Sequence, residues 1–361
     1  MYKFEDLIEE VKEFNTDLRY GLDDIVGVTI EKGLIPTIAN LTQTALDKFY
    51  IIKPETFVYN PRTHGVRLGM GYNDTCNTYI TTWNNVAFRV KDTAKNIVIP
   101  RYLWLYFCRP VWDRLTNFLA WGSSTIVFAW KDFLTIEIDL PSITRQREIV
   151  AEYETLTRRI RINEQMIQNL ESTAQTLYRK MFVDGIDKEN LPDGWRMGTL
   201  GEVATFKYGK LAQKHPKSSK FPYPVFSGYA ITGYTDEYTL KERTIVIIAR
   251  GDAGTGKICM APQKCFLSNL AIAIETKDMA IKDYLYYHLL DSDTMSLRSG
   301  SAQAQITINN IEPFEITIPS NEICIVFSQC VESFYNDILL RTEENLKLNE
   351  LQSLLLAKMG Q

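Results

Sequence analysis

A lysine-rich and aromatic segment in the second half of the chain has the residue types that bind phosphate groups. Residues 203–235 contain no acidic side chain. The lysines there are Lys207, Lys210, Lys214, Lys217 and Lys220, interleaved with Phe206, Tyr208, Phe221, Tyr223, Tyr229 and Tyr234. Ammonium groups that contact a nucleic-acid backbone release counterions. The segment therefore predicts a phosphate-contacting surface, although a solvated, flexible loop would also explain lysines in such a run.

Sequence-specific reading of DNA needs a second kind of residue, one that presents donors and acceptors to base edges. Arg250, Gln303, Gln305 and Asn309 have suitable groups and follow the lysine-rich segment. Counterpart candidates occur in the first half of the chain, namely Arg62, His64, Arg67, Ser123, Ser124 and Lys131. We predict that the two sets contact the same class of ligand.

A glycine-rich stretch, Gly251–Lys257, matches the first seven positions of a phosphate-binding P-loop. Ile258 stands where that motif needs a Ser or Thr to bind Mg²⁺. Pro262 closely follows, so the residues after Lys257 do not open the helix that would hold a phosphate at its amino terminus. A glycine-rich turn between two strands explains the same residues. Nucleotide binding at this stretch remains the alternative.

Other enzyme signatures are weaker still. Asn60-Pro61 is followed by Arg62 and Thr63 instead of the proline and aromatic residue of adenine methyltransferases, and no glycine-rich methyl-donor loop accompanies it. The three histidines belong to no local catalytic motif, and the six cysteines form no Cys-x-x-Cys pair. We expect reduced cysteines, no metal and no catalytic machinery.

Composition and charge set the broad class of the protein. The 361 residues are 45% hydrophobic, enough to fill about two cores. The net charge of −4 is unusual for a protein that binds nucleic acid, so the local distribution of charge matters more than the total. The sequence shows no basic, apolar signal segment, and we expect no membrane span and a cytoplasmic location.

The chain repeats itself at a spacing of 178 residues. Residues 122–142 align without a gap on residues 300–320, and each copy runs through a closing Pro-Ser into a long segment without Gly or Pro. Such a period is too long for a solenoid. It predicts two copies of one domain, each followed by its own long helix.

Both long segments have the apolar spacing of a coiled-coil seam. The predicted seam residues are Ile149, Leu156, Ile160, Ile167, Leu170, Leu177, Phe334, Ile338, Leu348 and Leu355. Asn163 and Asn345 interrupt the seam, which we interpret as a device that fixes register or orientation. Forty helical residues span about 60 Å, so we expect the two helices to pair antiparallel; each helix packing only on its own domain is the alternative.

The order of these elements resembles the specificity (S) subunit of Type I restriction-modification systems over nearly the whole chain. The residues that carry the resemblance are the strand-Pro-Ser junctions at residues 138–142 and 316–320, the phrases at residues 50–69 and 191–202, and residues 226–258. One departure is that the family's Glu-Gln pair after the proline is kept only as Arg145-Gln146.

The resemblance implies an α/β (α+β) fold with two tandem target-recognition domains separated by two long helices that form an antiparallel coiled coil. The expected boundaries are 1–140 for the first domain, 141–190 for the central helix and linker, 191–319 for the second domain, and 320–361 for the last helix. It further implies that the turn at residues 251–257 brings Arg250 and Lys257 near DNA.

By the same resemblance, this chain is a non-catalytic subunit that reads a bipartite site on double-stranded DNA. Two adenine-N6 methyltransferase (modification) subunits are the implied partners, and a motor-nuclease (restriction) subunit is left open. The methyl donor and ATP would belong to those partners, so no cofactor is expected on this chain. A duplicated-domain scaffold that binds proteins and not DNA is the second alternative.

Overall fold

A computed structural model describes residues 1–37, 44–63, 67–120, 126–251, 254–299 and 305–359. The chain divides into two compact units. Unit 1 comprises Met1–Asn163 with Glu343–Gln361, and unit 2 comprises Glu164–Thr342. Both boundaries fall inside the long helices, so each unit contains part of each helix.

Within the described residues, unit 1 consists of many short strands and four short α-helices, followed by one long helix. Its strands are β1 (Tyr2–Lys3), β2 (Ile8–Glu10), β3 (Val26–Thr29), β4 (Gly33–Pro36), β5 (Tyr50–Ile52), β6 (Phe57–Tyr59), β7 (Arg62–Thr63), β8 (Met70–Tyr72), β9 (Tyr79–Thr81), β10 (Val86–Val90), β11 (Ile126–Val127) and β12 (Glu137–Ile138). Its helices are α1 (Phe4–Leu7), α2 (Pro100–Phe107), α3 (Pro110–Leu119) and α4 (Trp130–Thr135), followed by the long helix α5 (Ile143–Phe182). A proline at the first position of both α2 and α3 favours helix starts at these points.

The central sheet of unit 1 has four antiparallel strands in the order β2-β10-β6-β8. One face of this sheet packs on an aromatic core in which Phe57, Phe88, Phe107 and Phe133 are fully buried. Ring centroids in this core lie 5.0–6.0 Å apart, the usual spacing of edge-to-face and stacked pairs. Three further antiparallel pairs lie outside this sheet: the hairpin of β3 with β4, the pair of β5 with β9, and the pair of β7 with β11.

Unit 2 begins with the same strand-helix-strand succession as unit 1. Its strands are β13 (Arg196–Thr199), β14 (Ala204–Tyr208), β15 (Tyr223–Ser227), β16 (Ala230–Thr235), β17 (Thr244–Ile248), β18 (Ile258–Ala261), β19 (Phe266–Leu267), β20 (Ala271–Thr276) and β21 (Glu315–Ile318). Its helices are α6 (Leu200–Val203), α7 (Lys282–Asp291), α8 (Ile308–Ile311) and the long α9 (Asn321–Lys358). The run TIVII of β17 is buried on both faces, which explains its unbroken apolar sequence.

The four-stranded sheet of unit 2 has the order β14-β20-β17-β18. If the four strands of each sheet are numbered in chain order, both sheets have the strand order 1-4-2-3. In both units a two-strand pair joins the first strand to the strand before the long helix, β1 with β12 and β13 with β21. This common topology is what a duplicated domain requires.

Within unit 1, the beginning of α5 pairs antiparallel with the end of α9. Gln352 donates to the Thr157 hydroxyl (2.7 Å), whereas Asn163, further along α5, bonds to the earlier Asn345 (2.9 Å). Ile149 and Met359 are buried in the same core. The predicted fold, with long helices that form an antiparallel coiled coil, is therefore confirmed.

Within unit 2, the end of α5 packs on the beginning of α9. The ring centroids of Phe182 and Phe327 lie 5.2 Å apart, and those of Tyr178 and Phe327 lie 6.4 Å apart. Ala174 and Val331 are buried in the same cluster. Each helix therefore supplies side chains to the core of both units.

Our expectation about membrane-length apolar segments was wrong in one respect. The helix α9 is long and apolar enough, by length and composition alone, to cross a membrane. Some of its apolar residues are buried, Cys324, Phe327 and Val331 in unit 2 and Met359 in unit 1, whereas Leu340 and Leu346 are exposed. A core helix of a soluble protein passes the same compositional test.

Candidate nucleic-acid interface

The pairing register of unit 2 brings most of its predicted ligand-binding residues to one end of the sheet. Strands β14 and β17 both end there, since Tyr208 pairs with Ile272 and Ile248 pairs with Ala271 on the shared neighbour β20. The strand β18 begins at the same end. We call this end the basic edge, and it carries Lys207, Tyr208, Lys210, Tyr229, Arg250, Lys257 and Gln305.

Backbone and side-chain bonds tie later segments of unit 2 to the basic edge. The Ile306 amide donates to the Ala249 carbonyl (2.9 Å), which places Gln305 beside the end of β17. The Ile308 amide donates to the Tyr208 hydroxyl (3.2 Å), and this places α8, with Asn309, beside the end of β14. Lys207, Lys210, Tyr229, Arg250, Lys257, Gln305 and Asn309 are all exposed. Residues from four separate stretches of sequence thus share one accessible surface.

The glycine-rich stretch lies between β17 and β18, and the amides of its described residues 254–257 bond to backbone carbonyls of this chain. Gly254 and Thr255 both donate their amides to the Gly251 carbonyl (3.3 Å), and Gly256 donates to Ile248 (2.8 Å). The Lys257 amide bonds to Gly254 (2.9 Å). A P-loop needs such amides to point at its ligand. Among the described residues of the turn, this bonding disfavours nucleotide binding.

The same turn packs against the β15–β16 hairpin. The Lys257 ammonium lies 5.5 Å from the centroid of the Tyr229 ring. A Cβ placed on Gly254 would lie 3.6 Å from the Tyr229 ring, an ordinary van der Waals contact, and 3.2 Å from Ile248, which would have to yield slightly. Lys257 and Tyr229 therefore form one exposed cation and ring pair on the basic edge.

Lys207 differs from the other lysines of the basic edge. Its ammonium lies 2.6 Å from the Glu275 carboxylate, and both side chains are at least one-third exposed. Exposed pairs of this kind contribute little to stability. The Glu275 charge nevertheless offsets the Lys207 charge, which makes Lys207 the weaker phosphate-binding candidate.

The remaining lysines of the segment lie along the outer strand β16. His215 pairs with Tyr234 through two backbone bonds of 2.9 Å, and its ring stacks on Phe221 with centroids 3.9 Å apart. The Lys217 ammonium lies 5.6 Å from the Tyr234 ring. Lys214, Lys217 and Lys220 are all exposed. The lysine run is thus folded onto the hairpin, which makes the interpretation as a free loop less favourable.

In unit 1, the connection between β6 and β8 is topologically equivalent to the turn between β17 and β18. Arg62 and Arg67 lie in this connection and are exposed. The Arg62 amide donates to the Asn60 side chain (2.9 Å), so Asn60-Pro61 is the start of an ordinary turn. Lys131 is exposed in the first turn of α4. His64, Ser123, Ser124 and Gln303 lie outside the described residues.

The predicted seam residues of the long helices are all shielded from solvent to some degree. Ile149 is buried; Leu156, Ile160, Ile167, Leu170, Leu177, Phe334, Ile338, Leu348 and Leu355 are half-buried. Asn163 is fully buried and donates to both Glu344 and Asn345 (2.9 Å each), while Arg159 forms an ion pair with Glu344 (2.8 Å). Glu344 therefore bonds α9 to α5 within unit 1.

The described residues contain no cluster of His, Cys, Asp and Glu that could hold a metal ion. All six cysteines are free. His288, on α7, is largely buried, and burial lowers its pKa to about 4; its Nδ1 lies 2.9 Å from the Tyr178 hydroxyl. His288 thus joins α7 to α5 as a neutral core residue.

The structure also reveals residues that sequence reasoning missed. Thr294 and Arg298 bond to the backbone of the turn at residues 254–257, and Lys32 with Asp113 holds the backbone of Leu68. Nothing in the local sequence marks these residues. Lys32 and Asp113 stand out because both charged side chains are almost fully buried, which is rare. Burial can be read from the structure but not from the sequence.

The long helices begin differently in the two units. Gln146 is fully buried; it accepts from the Ile99 amide (3.0 Å) and donates to the carbonyls of Ile97 (2.8 Å) and Pro141 (2.9 Å). The residue 178 positions later is Cys324, which is buried. Gln146 therefore joins the start of α5 to the segment that leads into α2 by side-chain hydrogen bonds. Cys324 replaces these bonds with an apolar contact at the equivalent position of unit 2.

Comparisons with known proteins agree with this architecture. Residues 192–350 match the family model of the Type I restriction modification DNA specificity domain. No curated protein sequence matches the chain. A solved structure of the S subunit of a Type-I restriction-modification system from M. genitalium superposes with a TM-score of 0.62 at 17% identity, covering 100% of this chain and 95% of that chain.

Two further solved structures are less similar. One is described as the structural basis of complex assembly and conformational transition of the type I R-M system, with a TM-score of 0.49, 19% identity, and coverage of 100% of this chain and 97% of that chain. The other is the HsdS subunit from Thermoanaerobacter tengcongensis, with a TM-score of 0.36, 19% identity, and coverage of 99% and 95%. At such identities the M. genitalium structure supports a common fold.

Proposed function

Since residues 192–350 of this chain match the family model of the Type I restriction modification DNA specificity domain, we propose that the protein reads a bipartite DNA target and directs partner methyltransferase subunits to it. Each unit would read one half of the target through the major groove. The chain itself would carry out no catalysis. The methyl donor and ATP would be bound by its partners.

The observation that carries this proposal is the basic edge of unit 2. Lys210, Arg250 and Lys257 bring positive charge to one exposed surface, with Gln305 and Asn309 beside them. Lysines on such a surface bind phosphates and position the protein, whereas arginine and amide side chains distinguish bases. Lys214, Lys217 and Lys220 would extend the phosphate contacts along β16.

Unit 1 supports the proposal through its topology. Because its sheet has the same strand order, the connection with Arg62 and Arg67 is equivalent to the turn with Arg250 and Lys257. We propose target-recognition domains at residues 1–140 and 191–319, with residues 141–190 and 320–361 as spacer. Lys131, His64, Ser124 and Gln303 remain candidate contacts.

The long helices would set the distance between the two halves of the target. A helix of 40 residues, such as α5, is about 60 Å long. The buried bonds of Asn163 to Asn345 and Glu344 would hold the helix pair in one register, the use of a buried asparagine that is best documented in coiled coils. The length of the unread gap then follows from helix length.

We further propose that α9 presents docking positions for two adenine-N6 methyltransferase subunits. Leu340, Leu346, Leu351 and Leu354 are at least half exposed, which is costly on a helix that meets only water. A motor-nuclease subunit could join through those partners. Because its proposed substrate is chromosomal DNA, we expect the assembly to be cytoplasmic.

The test is to map methylated adenines in cells with and without this chain, with the modification subunit present in both. We expect one bipartite motif to disappear when the chain is removed. Replacing residues 1–140 with the corresponding domain of another specificity subunit should change one half of the motif and leave the other half intact. A change in both halves, or in neither, would contradict the modular assignment.

The two alternatives give different results. A nucleotide-dependent enzyme would bind ATP tightly, and Lys257→Ala would abolish that binding. A protein-binding scaffold would have no affinity for any duplex, and its partner binding would not depend on salt. Binding of the assembly to duplex DNA that weakens steeply with salt would exclude the scaffold.

A further inference from the structure

The turn at the basic edge of unit 2 is held in place by side chains that lie outside it. Arg298 donates to the Thr255 carbonyl from Nε (2.9 Å) and also from Nη2. The buried Thr294 donates its hydroxyl to the Gly256 carbonyl (2.6 Å). Consecutive carbonyls of the turn are therefore fixed by the segment that follows α7.

Packing adds to these bonds. Gly256 has a φ of +92°, a conformation that residues with a Cβ rarely adopt. A Cβ at this position would come within 2.7 Å of the Met295 sulfur. Thr255 is almost completely buried, although its neighbours Lys257 and Arg250 are exposed. The turn thus has a buried, tightly contacted base and an exposed rim.

Arg298 also connects this turn to the segment that carries Gln305. Ser299, the next residue, forms a pair of backbone bonds with Gln305 (2.9 and 3.0 Å). Arg298 therefore gives Gln305 a second link to the turn, in addition to the bond between the Ile306 amide and the Ala249 carbonyl (2.9 Å). One arginine couples two groups of candidate base contacts.

In unit 1, different residues hold the backbone next to the candidate contact Arg67. The Lys32 ammonium lies 2.6 Å from the Asp113 carboxylate, and both side chains are nearly buried. Lys32 also donates to the Leu68 carbonyl (2.8 Å), and the Leu68 amide donates to Asp113 (3.4 Å). Leu68 directly follows Arg67, so both backbone groups of the residue beside a candidate contact are held.

We infer that each unit fixes its DNA-reading turn by a clamp of side chains on turn backbone, Arg298 with Thr294 in unit 2 and Lys32 with Asp113 in unit 1, and that each clamp sets how sharply its half-site is read. These are positioning residues and touch no base. The inference rests on the proposed function and extends it to residues outside the DNA-contacting surface.

The physical reason is geometric. Base discrimination by a two-bond contact is worth ~10–100-fold and requires the donors to stay aligned with one base edge. A turn released from its clamp can satisfy the wrong base as well as the right one. Phosphate contacts depend on charge more than on direction, so the non-specific affinity should survive.

The experiment uses the complete complex with its modification subunits. The motif is first mapped with the native chain, and binding is then measured to 30-base-pair duplexes, an arbitrary probe length chosen to hold the motif. One duplex set carries single-base changes in the first half and another set carries them in the second half. The variants are Arg298→Met for unit 2 and Lys32→Met with Asp113→Asn for unit 1, the double change leaving no unpaired buried charge.

We expect Arg298→Met to lower discrimination about tenfold at the half read by unit 2 only. The unit 1 variant should do the same at the other half only, so each variant is the control for the other. Arg298→Lys keeps a positively charged N–H donor that can bond to the Thr255 carbonyl, and it should retain most of the discrimination. Thr294→Val, which removes one bond without changing the charge, should act in the same direction as Arg298→Met.

Equal loss of affinity for all duplexes, or unchanged discrimination in variants that melt at the native temperature, would overturn the inference. If Arg298→Met fails to fold, Thr294→Val provides the test. Unchanged base discrimination in a folded Thr294→Val variant would also refute the inference. Absence of any motif that depends on this chain would instead refute the proposed function. The two failures are therefore distinguishable.

Discussion

The lysines of residues 210–217 allow a quantitative test of the proposed DNA surface. The change is Lys210→Gln, Lys214→Gln and Lys217→Gln together, which removes three exposed positive charges and keeps the size of the side chains. Lys207 is left in place because Glu275 already offsets its charge. The measurement is affinity for a duplex as a function of salt.

The expected magnitude follows from the number of charges. Each phosphate contact contributes about 0.9 to the slope of log affinity against log salt, so three contacts contribute ~2.7. Between about 50 and 200 mM salt, the affinity ratio of native protein to variant should therefore shrink by ~40-fold. The discrimination between target and altered duplexes should change little, because phosphates carry no sequence.

A matched control is available in the same unit. Lys180 lies on α5, and Lys241 and Lys264 lie at the opposite end of the sheet, where Thr244 pairs with Ala261. Changing these three lysines to Gln alters the net charge equally. We expect a nearly native slope. If the control lowers the slope as much as the test variant, or if the test variant has a native slope, the assignment of the basic edge is refuted.

Three further predictions concern stability. Gln146→Ala removes three bonds to partly buried backbone groups and should lower the free energy of unfolding of the protein by about 2–4 kcal/mol in urea titrations, whereas exposed Gln165→Ala should cost little; equal effects would refute the structural role of Gln146. Burial lowers the pKa of His288 to about 4, so the folded protein binds fewer protons at this residue than the unfolded chain. The neutral imidazole therefore contributes fully to the free energy of unfolding above pH 6.5, and this contribution is lost as the pH falls towards 4. That contribution amounts to roughly 3 kcal/mol, and His288→Phe should flatten the unfolding profile between these pH values; an unchanged profile would contradict the assignment. Asn163→Ala and Asn345→Ala should be non-additive, with a coupling of about 0.5–2 kcal/mol in a double-mutant cycle, and additive effects would show that the two amides do not act together.

The sequence by itself determined the helices and the duplication. The segments predicted from Ser142 and from Ser320 are helical from Ile143 to Phe182 and from Asn321 to Lys358. Heptad spacing and the absence of Gly and Pro are local properties, so they can be read from the sequence without knowledge of the fold. The repeat of 178 residues also predicted two domains of common topology, because both copies must bury the same apolar pattern.

Only the tertiary structure decided which residues share the candidate site and what holds them. Lys207 and Lys210 are both exposed, yet among the described residues a carboxylate pairs with Lys207 alone, because strand pairing places Glu275 beside it. Arg298 bonds to a residue 43 positions away, and Lys32 to one 81 positions away. Contacts at such separations follow from strand register and helix packing, which depend on the whole chain and leave no periodic trace in the sequence.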